Sequence, residues 1–400
     1  MLENVKKPVI RFAEFDDAWE QRKLGKIADF NPNSVLPDSF EYVDLESVVG
    51  TDMISHRTEK RESAPSRAQR LAKQGDVFYQ TVRPYQRNNY LFELPYDNFV
   101  FSTGYAQMRP HIDSRFLFSR IQEDRFVKNV LDRCTGTSYP AINASDLAEI
   151  EIRVPLDRAE QERIGITFKN LDNLITLHQR KCDKLVSVKK AMLEKMFPKN
   201  GSNVPEIRFG GFTDPWEQRK WSDTVDISTE MVDPKCGDYD DLPHVAPGNI
   251  ESFTGRVFDN VKTVKEENLI SGKFHFYDGD IIYGKINPQL GKYAFMRFEG
   301  LTSADAYVLN SKNGLDQKFL FALIQSDYFY RYTVSVSKRS GMPKINRDEL
   351  NSFTYNSPIT VEQKRIGELF LSIDNLITLH HRKLEKLTNV KKSMLDKMFI

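Results

Sequence analysis

This 400-residue sequence has few cysteines, no long apolar run and almost no net charge, and each absence excludes a class of protein. Cys134, Cys182 and Cys236 stand far apart without a CxxC pair, which excludes a disulfide framework and a cysteine zinc site. No signal peptide or stretch of membrane length is found, so we expect a cytoplasmic protein without a membrane partner. The 57 lysine and arginine residues nearly balance 56 aspartate and glutamate residues, so any contact with nucleic acid must come from local clusters of charge.

The signatures of catalysis are missing as well. The sequence contains no G-x-x-x-x-G-K-[ST], G-x-G-x-x-G, H-E-x-x-H or G-x-S-x-G motif. Amino-methylating DNA enzymes carry an Asn-Pro-Pro-aromatic signature; the nearest matches, Asn31-Pro32-Asn33 and Asn287-Pro288-Gln289, lack the second proline and the aromatic residue. The seven histidines form no metal-ligand set. We therefore expect a chain with no active site, metal or cofactor of its own.

A long internal repeat is the strongest positive signal in the sequence. Asp172-Asn-Leu-Ile-Thr-Leu-His178 recurs letter for letter as Asp374-Asn-Leu-Ile-Thr-Leu-His380, inside heptad patterns that begin at Ile164 and Ile366. Each copy predicts a helix of roughly 50 Å. One such helix cannot bury its own apolar stripe, so the copies are predicted to pair as an intramolecular coiled coil whose histidines fix the register. The sequence leaves the pairing direction open, and a pseudo-two-fold arrangement would make it antiparallel.

A second, shorter repeat and two globular segments complete the chain. Trp19-Glu-Gln-Arg-Lys23 returns as Trp216-Glu-Gln-Arg-Lys220, and the globular segments share a frame but differ at most positions. The predicted fold class is α+β, with two mixed α/β modules related by pseudo-two-fold symmetry and joined by the long helices. The predicted organisation is an N-terminal repeated segment (1–24), a first module (25–156), a central helix (157–198), a linker with the second repeated segment (199–221), a second module (222–357) and a distal helix (358–400).

Two loops in each module are the candidate binding surfaces, because they collect basic, tyrosine, hydroxyl and amide side chains that read base edges and bind phosphates. The candidates in the first module are Arg83, Tyr85, Gln86, Arg87, Asn88, Tyr90, Thr137, Ser138 and Tyr139. The candidates in the second module are Lys285, Asn287, Gln289, Lys292, Tyr293, Lys338, Arg339 and Ser340. An ordinary solvated hairpin is the alternative, and the correspondence of the loops between the modules favours binding.

The order of the repeated motifs matches a known family. Glu160-Gln-Glu-Arg-Ile-Gly165 and Leu171-Asp-Asn-Leu-Ile175 follow the first module, and Glu362-Gln-Lys-Arg-Ile-Gly367 and Ile373-Asp-Asn-Leu-Ile377 follow the second. With the repeated Trp-Glu-Gln-Arg-Lys, the chain resembles over essentially its whole length the specificity subunit of type I restriction–modification systems. The resemblance implies two target recognition domains that each read one half of an asymmetric, bipartite DNA sequence. It also implies that the helical pair sets the spacer between the halves.

The resemblance further implies partners. They are double-stranded DNA, two modification (methyltransferase) subunits held by the repeated regions, and two restriction subunits. S-adenosylmethionine, ATP and Mg would belong to those subunits, and the chain itself would be non-catalytic. The predicted partner-binding residues are Trp19, Gln161, Ile164, Asp172, Trp216, Gln363, Ile366 and Asp374. For the tryptophan-containing segments, a strand or turn packed on the neighbouring domain is the alternative.

Two other functions stay open on the sequence. A self-sufficient DNA enzyme would need a catalytic motif, and none is found. A coiled-coil adaptor that binds only protein would explain the helices, but it would leave unexplained why a duplicated frame carries divergent loops.

Overall fold

The computed structural model describes residues 7–136, 138–199, 201–338 and 341–400 of the chain. The chain forms two compact units: unit 1 comprises Met1–Leu177 with Leu384–Ile400, and unit 2 comprises His178–Lys383. Each unit contains one mixed module and part of both long helices. The α+β class predicted from the sequence is confirmed.

Unit 1 consists of short helices and small β-sheets packed against the first part of a long helix. Its strands are β1 (Glu20–Lys23), β2 (Ala28–Phe30), β3 (Ser39–Val43), β4 (Val48–Val49), β5 (Asp52–Met53), β6 (Arg57–Lys60), β7 (Ala68–Leu71), β8 (Val77–Gln80), β9 (Tyr90–Leu91), β10 (Phe99–Ser102), β11 (Tyr105–Pro110) and β12 (Glu151–Val154). Its helices are α1 (Leu24–Ile27), α2 (Ser114–Arg120), α3 (Asp124–Leu131), α4 (Ala144–Ala148), the first part of α5 (Arg158–Met196) and the last part of α10 (Thr360–Met398). The main sheets have the orders β2-β11-β8-β9 and β6-β3-β10-β7.

Strand β8 lies between two cores, which explains why it is apolar on both faces. Val77 and Tyr79 pack with α2, α3 and the long helices, whereas Phe78 points the other way and stacks on Phe101 with ring centroids 3.7 Å apart. Alternate residues of a strand face opposite sides, so one strand serves both cores. The strand ends at Gln80, which places the next residues at the edge of the sheet where the first candidate loop begins.

Apolar residues recur at helical spacing from Arg115 to Leu131, as in one amphipathic helix, but the structure divides this segment into two helices. Helix α2 ends at Arg120 and α3 begins at Asp124, because Glu123 has an extended backbone with φ −65° and ψ 141°. The Glu123 side chain is fully buried and pairs with Arg120 and Arg125. Charge-assisted contacts with the two arginines hold this buried carboxylate between the helices.

Unit 2 repeats the same plan. Its strands are β13 (Glu217–Lys220), β14 (Val225–Ile227), β15 (Met231–Val232), β16 (Pro243–His244), β17 (Lys262–Thr263), β18 (Lys273–Phe276), β19 (Ile281–Gly284), β20 (Tyr293–Phe295), β21 (Gly300–Thr302), β22 (Ala306–Ser311) and β23 (Thr354–Ser357). Its helices are α6 (Trp221–Thr224), α7 (Gln317–Gln325), α8 (Asp327–Val336), α9 (Arg347–Asn351), the first part of α10 (Thr360–Met398) and the second part of α5. The sheet order β14-β22-β19-β20 corresponds strand for strand to β2-β11-β8-β9 of unit 1.

The long helices pair antiparallel within each unit. In unit 1, the Phe168 ring stacks on Phe399, and four residues further along α5 Asp172 forms an ion pair with Lys391. As the residue number rises along α5, the number of the contacting residue on α10 falls, so the two helices run in opposite directions. The predicted antiparallel coiled coil is therefore confirmed. No helix in the described part of the chain has the length and apolar character needed to cross a membrane.

Unit 2 shows the same pairing with a more deeply buried ion pair. His178 faces His380, and Lys189 pairs with Asp374. The Lys189 and Asp374 side chains are only 8% and 9% exposed. Burial raises the pKa of the Asp374 carboxyl, and the ammonium of Lys189 opposes that shift. The lysine that interrupts the heptad seam is thus matched by an aspartate of the opposite helix, which gives the pair a fixed register.

Candidate nucleic-acid interface

The two candidate loops of unit 1 lie side by side. The backbone N–H of Arg83 donates to Pro140 O at 2.8 Å, and the N–H of Ile142 donates to Thr81 O at 3.0 Å. Val82 and Ala141 form an isolated antiparallel bridge between the same segments. Residues 81–90 and the described residues of segment 135–141 therefore form one surface, which we call the unit 1 paired loops.

Unit 2 brings its candidate loops together in the same way. The N–H of Asn287 donates to Pro343 O at 2.8 Å, and the N–H of Ile345 donates to Lys285 O at 3.0 Å. Ile286 and Lys344 form the corresponding bridge. The described residues of segments 285–293 and 337–345 are called the unit 2 paired loops.

The backbone of the first loop has the same unusual shape in both units. Arg83 and Arg87 are left-handed, with φ of 52° and 56°, and they flank the 3-10 turn Pro84–Gln86. In unit 2, Asn287 and Gly291 have φ of 50° and 56° at the matching positions. Left-handed backbone is uncommon for an arginine. Since the conformation persists when the side chain changes, it belongs to the fold and displays whichever side chain stands there.

In unit 1, two tyrosines are exposed to solvent, and Arg83 is partly exposed. The Arg83 guanidinium lies 4.5 Å from the ring centroid of Tyr139, and no carboxylate among the described residues pairs with it. Tyr85 is 51% and Tyr139 64% exposed, and Ser138 is exposed beside them. An unpaired guanidinium among exposed aromatic rings is suited to phosphate or a base edge.

Two amide side chains of this loop, those of Gln86 and Asn88, are exposed or partly exposed, and each is held from one side. Gln86 accepts a hydrogen bond on Oε1 from Nε2 of Gln80 at 2.9 Å. Asn88 accepts one on Oδ1 from the backbone N–H of Gly50 at 2.9 Å. The amide nitrogens of Gln86 and Asn88 are therefore the groups left to a ligand.

Two other unit 1 candidates, Arg87 and Tyr90, are held by contacts within their own unit. Arg87 donates to Gln122 O at 2.9 Å and pairs with Asp124, so it fastens the loop to α3. Tyr90 stacks on Phe101 in the core, and burial raises the pKa of its hydroxyl. Neither side chain is free to read DNA without breaking these contacts. Thr137 lies outside the described residues.

In unit 2, the displayed side chains are different. Lys285 lies 5.5 Å from the Tyr307 ring centroid, Asn287 accepts from Gln289 at 3.3 Å, and Lys338 is exposed. Arg339 and Ser340 lie outside the described residues.

Two further unit 2 candidates make hydrogen bonds within their own unit. Lys292 donates its ammonium to Ile250 O. Tyr293 is 6% exposed and donates its hydroxyl to Phe253 O at 3.0 Å, so it is a core residue.

Most of the predicted partner-binding residues are buried within their own unit. In unit 1, Arg11 donates twice to Glu160, at 2.7 and 2.8 Å, and the Trp19 indole donates to the same carboxylate at 3.3 Å. The buried residues are Trp19, Gln161 and Ile164 in unit 1, and Trp216, Gln363 and Ile366 in unit 2. The repeated tryptophan segments therefore pack on the ends of the helices, as in the alternative considered from the sequence, and these six side chains lie within their own units.

The other two predicted partner residues, Asp172 and Asp374, are committed to the ion pairs between α5 and α10. The two glutamines have matching structural roles. Gln161 accepts from Asp113 N and donates to Pro155 O, and Gln363 accepts from Asp316 N and donates to Pro358 O. A core that is built twice repeats its residues as faithfully as a docking surface does, so the repeat alone does not distinguish a core residue from a docking residue.

An exposed apolar pair on each unit was missed from the sequence. Leu174 and Leu177 of unit 1 are 43% and 46% exposed, and their copies Leu376 and Leu379 of unit 2 are 45% and 47% exposed. Burial in the coiled coil does not require leucine at these positions. Identity between the copies at positions off the heptad seam was the available signal.

The comparisons with known proteins agree with this architecture. A family model described as "Type I restriction modification DNA specificity domain" matches residues 16–186 and again 214–389. The EcoDI type I restriction enzyme specificity subunit of Escherichia coli is 25% identical over 317 residues, which cover 72% of this chain and 70% of that protein. The MjaVIII specificity subunit of Methanocaldococcus jannaschii is 23% identical over 307 residues, covering 71% and 69% respectively.

A solved structure shows the same fold. The S subunit of a type I restriction–modification system from M. genitalium matches with a TM-score of 0.64 and 14% identity, over 98% of this chain and 99% of that one. The duplicated modules, their paired loops and the helix pair define a two-module DNA-specificity protein. The chain belongs to the family of type I restriction–modification specificity subunits. Such subunits are not catalytic by themselves, so the expectation that the chain is not an enzyme is confirmed by its family.

Proposed function

We propose that the chain recognises an asymmetric, bipartite DNA target and reads one half of it through the paired loops of each unit. The observation that carries the proposal is the shared loop backbone with exchanged side chains. Arg83 and Asn287 have φ of 52° and 50° and present different groups from the same position. A frame that is kept while its displayed side chains differ is suited to reading two different sequences.

The chemistry of the paired loops supports DNA as the ligand. The unit 1 loops offer Arg83, Gln86 and Asn88 beside the exposed Tyr85 and Tyr139, and the unit 2 loops offer Lys285, Asn287, Gln289 and Lys338. Cationic side chains bind phosphates, whereas amides and guanidinium groups distinguish base edges in the major groove. The overall charge of +1 adds little, so the affinity would come from these local groups.

The two long helices would set the spacer between the half-sites. Each has 39 residues, which at about 1.5 Å per residue gives about 58 Å, comparable with roughly 17 base pairs at about 3.4 Å each. In this proposal the recognition domains are residues 25–156 and 222–357, and residues 157–198 and 358–400 are the spacer helices.

Two modification subunits would bind the exposed leucine pairs. Unit 1 carries Leu174 and Leu177, unit 2 carries Leu376 and Leu379, and the surrounding seven-residue sequences are identical. Two identical surfaces suit two copies of one partner, which would bring S-adenosylmethionine and the methylating site. Restriction subunits, with ATP and Mg, would join through the assembled complex.

The test is the methylation pattern of genomic DNA when the chain is expressed with a modification subunit, and again when each is expressed alone. A single gapped, asymmetric motif that appears only when both are present is the expected result. A complex that forms but leaves no methylation would favour the protein-binding adaptor. Methylation by the chain alone would contradict the proposal, because it would require an active site in this chain.

A further inference from the structure

Gln80 lies beneath the unit 1 paired loops and holds one of their amides. Its side chain is 2% exposed, and its Nε2 lies 2.7 Å from Val82 O and 2.9 Å from Gln86 Oε1. Its own backbone N–H donates to Asn89 Oδ1 at 2.8 Å, which fixes the end of β8 against the loop. Gln80 is therefore clamped on both its main chain and its side chain.

These hydrogen bonds determine which way the Gln86 amide faces. Val82 O is a backbone acceptor, so the Gln80 atom next to it must be the nitrogen, because the reverse orientation would bring two acceptors to 2.7 Å. The same nitrogen also faces Gln86, so the Gln86 atom at 2.9 Å must be the oxygen. Gln86 thus turns Oε1 towards the buried Gln80 and its NH2 group towards solvent.

Two other side chains of the loop also present hydrogen-bond donors. The backbone N–H of Gly50 donates to Asn88 Oδ1, so Asn88 is also left with its NH2 group. The Arg83 guanidinium has only donors. Three side chains of the same loop therefore present hydrogen-bond donors, and the two amide carbonyls are turned towards the protein.

Unit 2 does not contain this arrangement. Gly284 stands at the position of Gln80, and Leu290, which is 45% exposed, stands at the position of Gln86. A Cβ on Gly284 would lie 3.0 Å from Lys292 Cβ and 3.3 Å from Lys292 O, so a glutamine there would crowd Lys292. The oriented amide is thus a property of unit 1 alone.

We propose that the unit 1 paired loops read a guanine in the major groove, and that Gln80 is the positioning residue that sets this choice by orienting Gln86. Guanine presents two acceptors, O6 and N7, whereas paired recognition of adenine by one amide needs a donor and an acceptor on the same edge. The Gln86 amide, whose oxygen is held by Gln80, can donate to an acceptor of guanine. It cannot offer adenine a donor and an acceptor at the same time. The proposal rests on the proposed function, because it assumes that this surface contacts DNA.

The first experiment compares Gln86→Glu with wild type in the complex with modification subunits, using the methylated motif or a library of randomised duplexes as the readout. The introduced carboxylate still accepts from Gln80 but presents an acceptor to DNA. We expect one base pair, a G·C pair in the wild-type motif, to lose its preference for guanine by roughly tenfold while the other positions stay unchanged. Gln74→Glu is the control, because it makes the same charge change at the opposite end of β8, and it should leave the motif as it was.

Two further variants separate positioning from folding. Gln86→Leu copies the residue of unit 2, and the preference at the same base pair should again fall. In Gln80→Met the Gln86 amide is free to turn, so that base pair should accept adenine as well as guanine, with the rest of the motif intact. A merely structural role for Gln80 would weaken binding to all sequences equally, and that result would overturn the proposal.

The outcomes distinguish this inference from the function on which it rests. If the wild-type complex produces no gapped motif, the DNA-reading function itself fails. If the motif forms but the Gln86 variants alter an A·T pair, no pair, or all pairs equally, only the guanine assignment fails. An equal loss at all positions for Gln86→Leu would identify a phosphate contact.

Discussion

Nδ1 of His178 lies 2.8 Å from Nδ1 of His380, so a histidine of the repeat shares a hydrogen bond with its own copy on the opposite helix. A ring nitrogen accepts only when it carries no proton, so at least one of the two rings is neutral. Partial burial lowers the pKa of both histidines, and Lys181 and Lys383 lower both further. The pair is thus a polar contact on the seam that requires a particular protonation state.

The first prediction follows from the sign of these shifts. Below the ordinary histidine pKa of 6.5 the unfolded chain takes up protons more readily than the folded chain, because folding lowers the pKa of both histidines. The contribution of the pair to the free energy of unfolding is therefore fully present above that pH. It is lost as the pH falls towards the lowered pKa values. We expect the free energy of unfolding to fall between about pH 7 and about pH 5 in wild type, and to fall less in the double variant His178→Asn/His380→Asn.

Denaturant titrations at both pH values measure this difference, with His381→Asn as the control on the next residue of α10. An unchanged pH dependence in the double variant would mean that the histidine pair does not govern it.

The second prediction tests whether Glu160 is structural or binds a partner. Its carboxylate is 1% exposed and accepts from Arg11 and Trp19. Glu160→Ala leaves the buried Arg11 guanidinium without its counter-charge, which we expect to cost about 3–5 kcal/mol of unfolding free energy. Glu362→Ala, which removes the partner of Arg208 in unit 2, should cost a similar amount.

Glu162, whose side chain is 53% exposed two residues away, provides the control, and its substitution by alanine should change stability by less than about 1 kcal/mol. Normal stability of Glu160→Ala together with loss of a partner would restore the docking interpretation.

The sequence predicted the helices better than it predicted the surfaces. Heptad spacing from Ile164 and Ile366 depends on the periodicity of one element, and both residues are 1% exposed, as a seam requires. Whether a repeated tryptophan such as Trp19 faces a partner or the core depends on contacts between segments that are distant in sequence. The residue pattern of a single helix or strand does not reveal those contacts. The left-handed backbone of Arg83 is likewise imposed by its bond to Pro140 rather than by arginine's own preference. The sequence therefore located the paired loops but could not identify which of their residues are displayed.

The third prediction separates Arg83 from Arg87, which the sequence treated alike. Arg83→Ala should weaken specific binding by about 1–3 kcal/mol without loss of stability if the guanidinium reads a base. Arg87→Ala should instead release the loop from Asp124 and lower stability by up to about 1 kcal/mol, since the pair is partly exposed. Duplex binding and thermal unfolding of both variants decide between these roles.

A double-mutant cycle with Asp124→Ala provides the internal control for Arg87. The stability effects of Arg87→Ala and Asp124→Ala should be less than additive, because both remove the same ion pair. If the two stability effects are strictly additive and Arg87→Ala weakens the preference at one base pair, Arg87 contacts DNA rather than holding the loop.

The fourth prediction concerns the exposed leucine pairs. Leu174→Glu/Leu177→Glu places two charges at side chains that are already about half exposed, so the stability of the isolated chain should change little. If each pair holds one modification subunit, this variant should bind one subunit instead of two, and so should Leu376→Glu/Leu379→Glu. The four-site variant should bind none.

Light scattering of the mixed complexes measures the number of modification subunits bound, and Thr176→Glu, on the same turn of α5, provides the matched control. Two bound subunits in the four-site variant would show that the docking surface lies elsewhere, whereas one or none in the Thr176→Glu control would mean that the leucines alone do not define it.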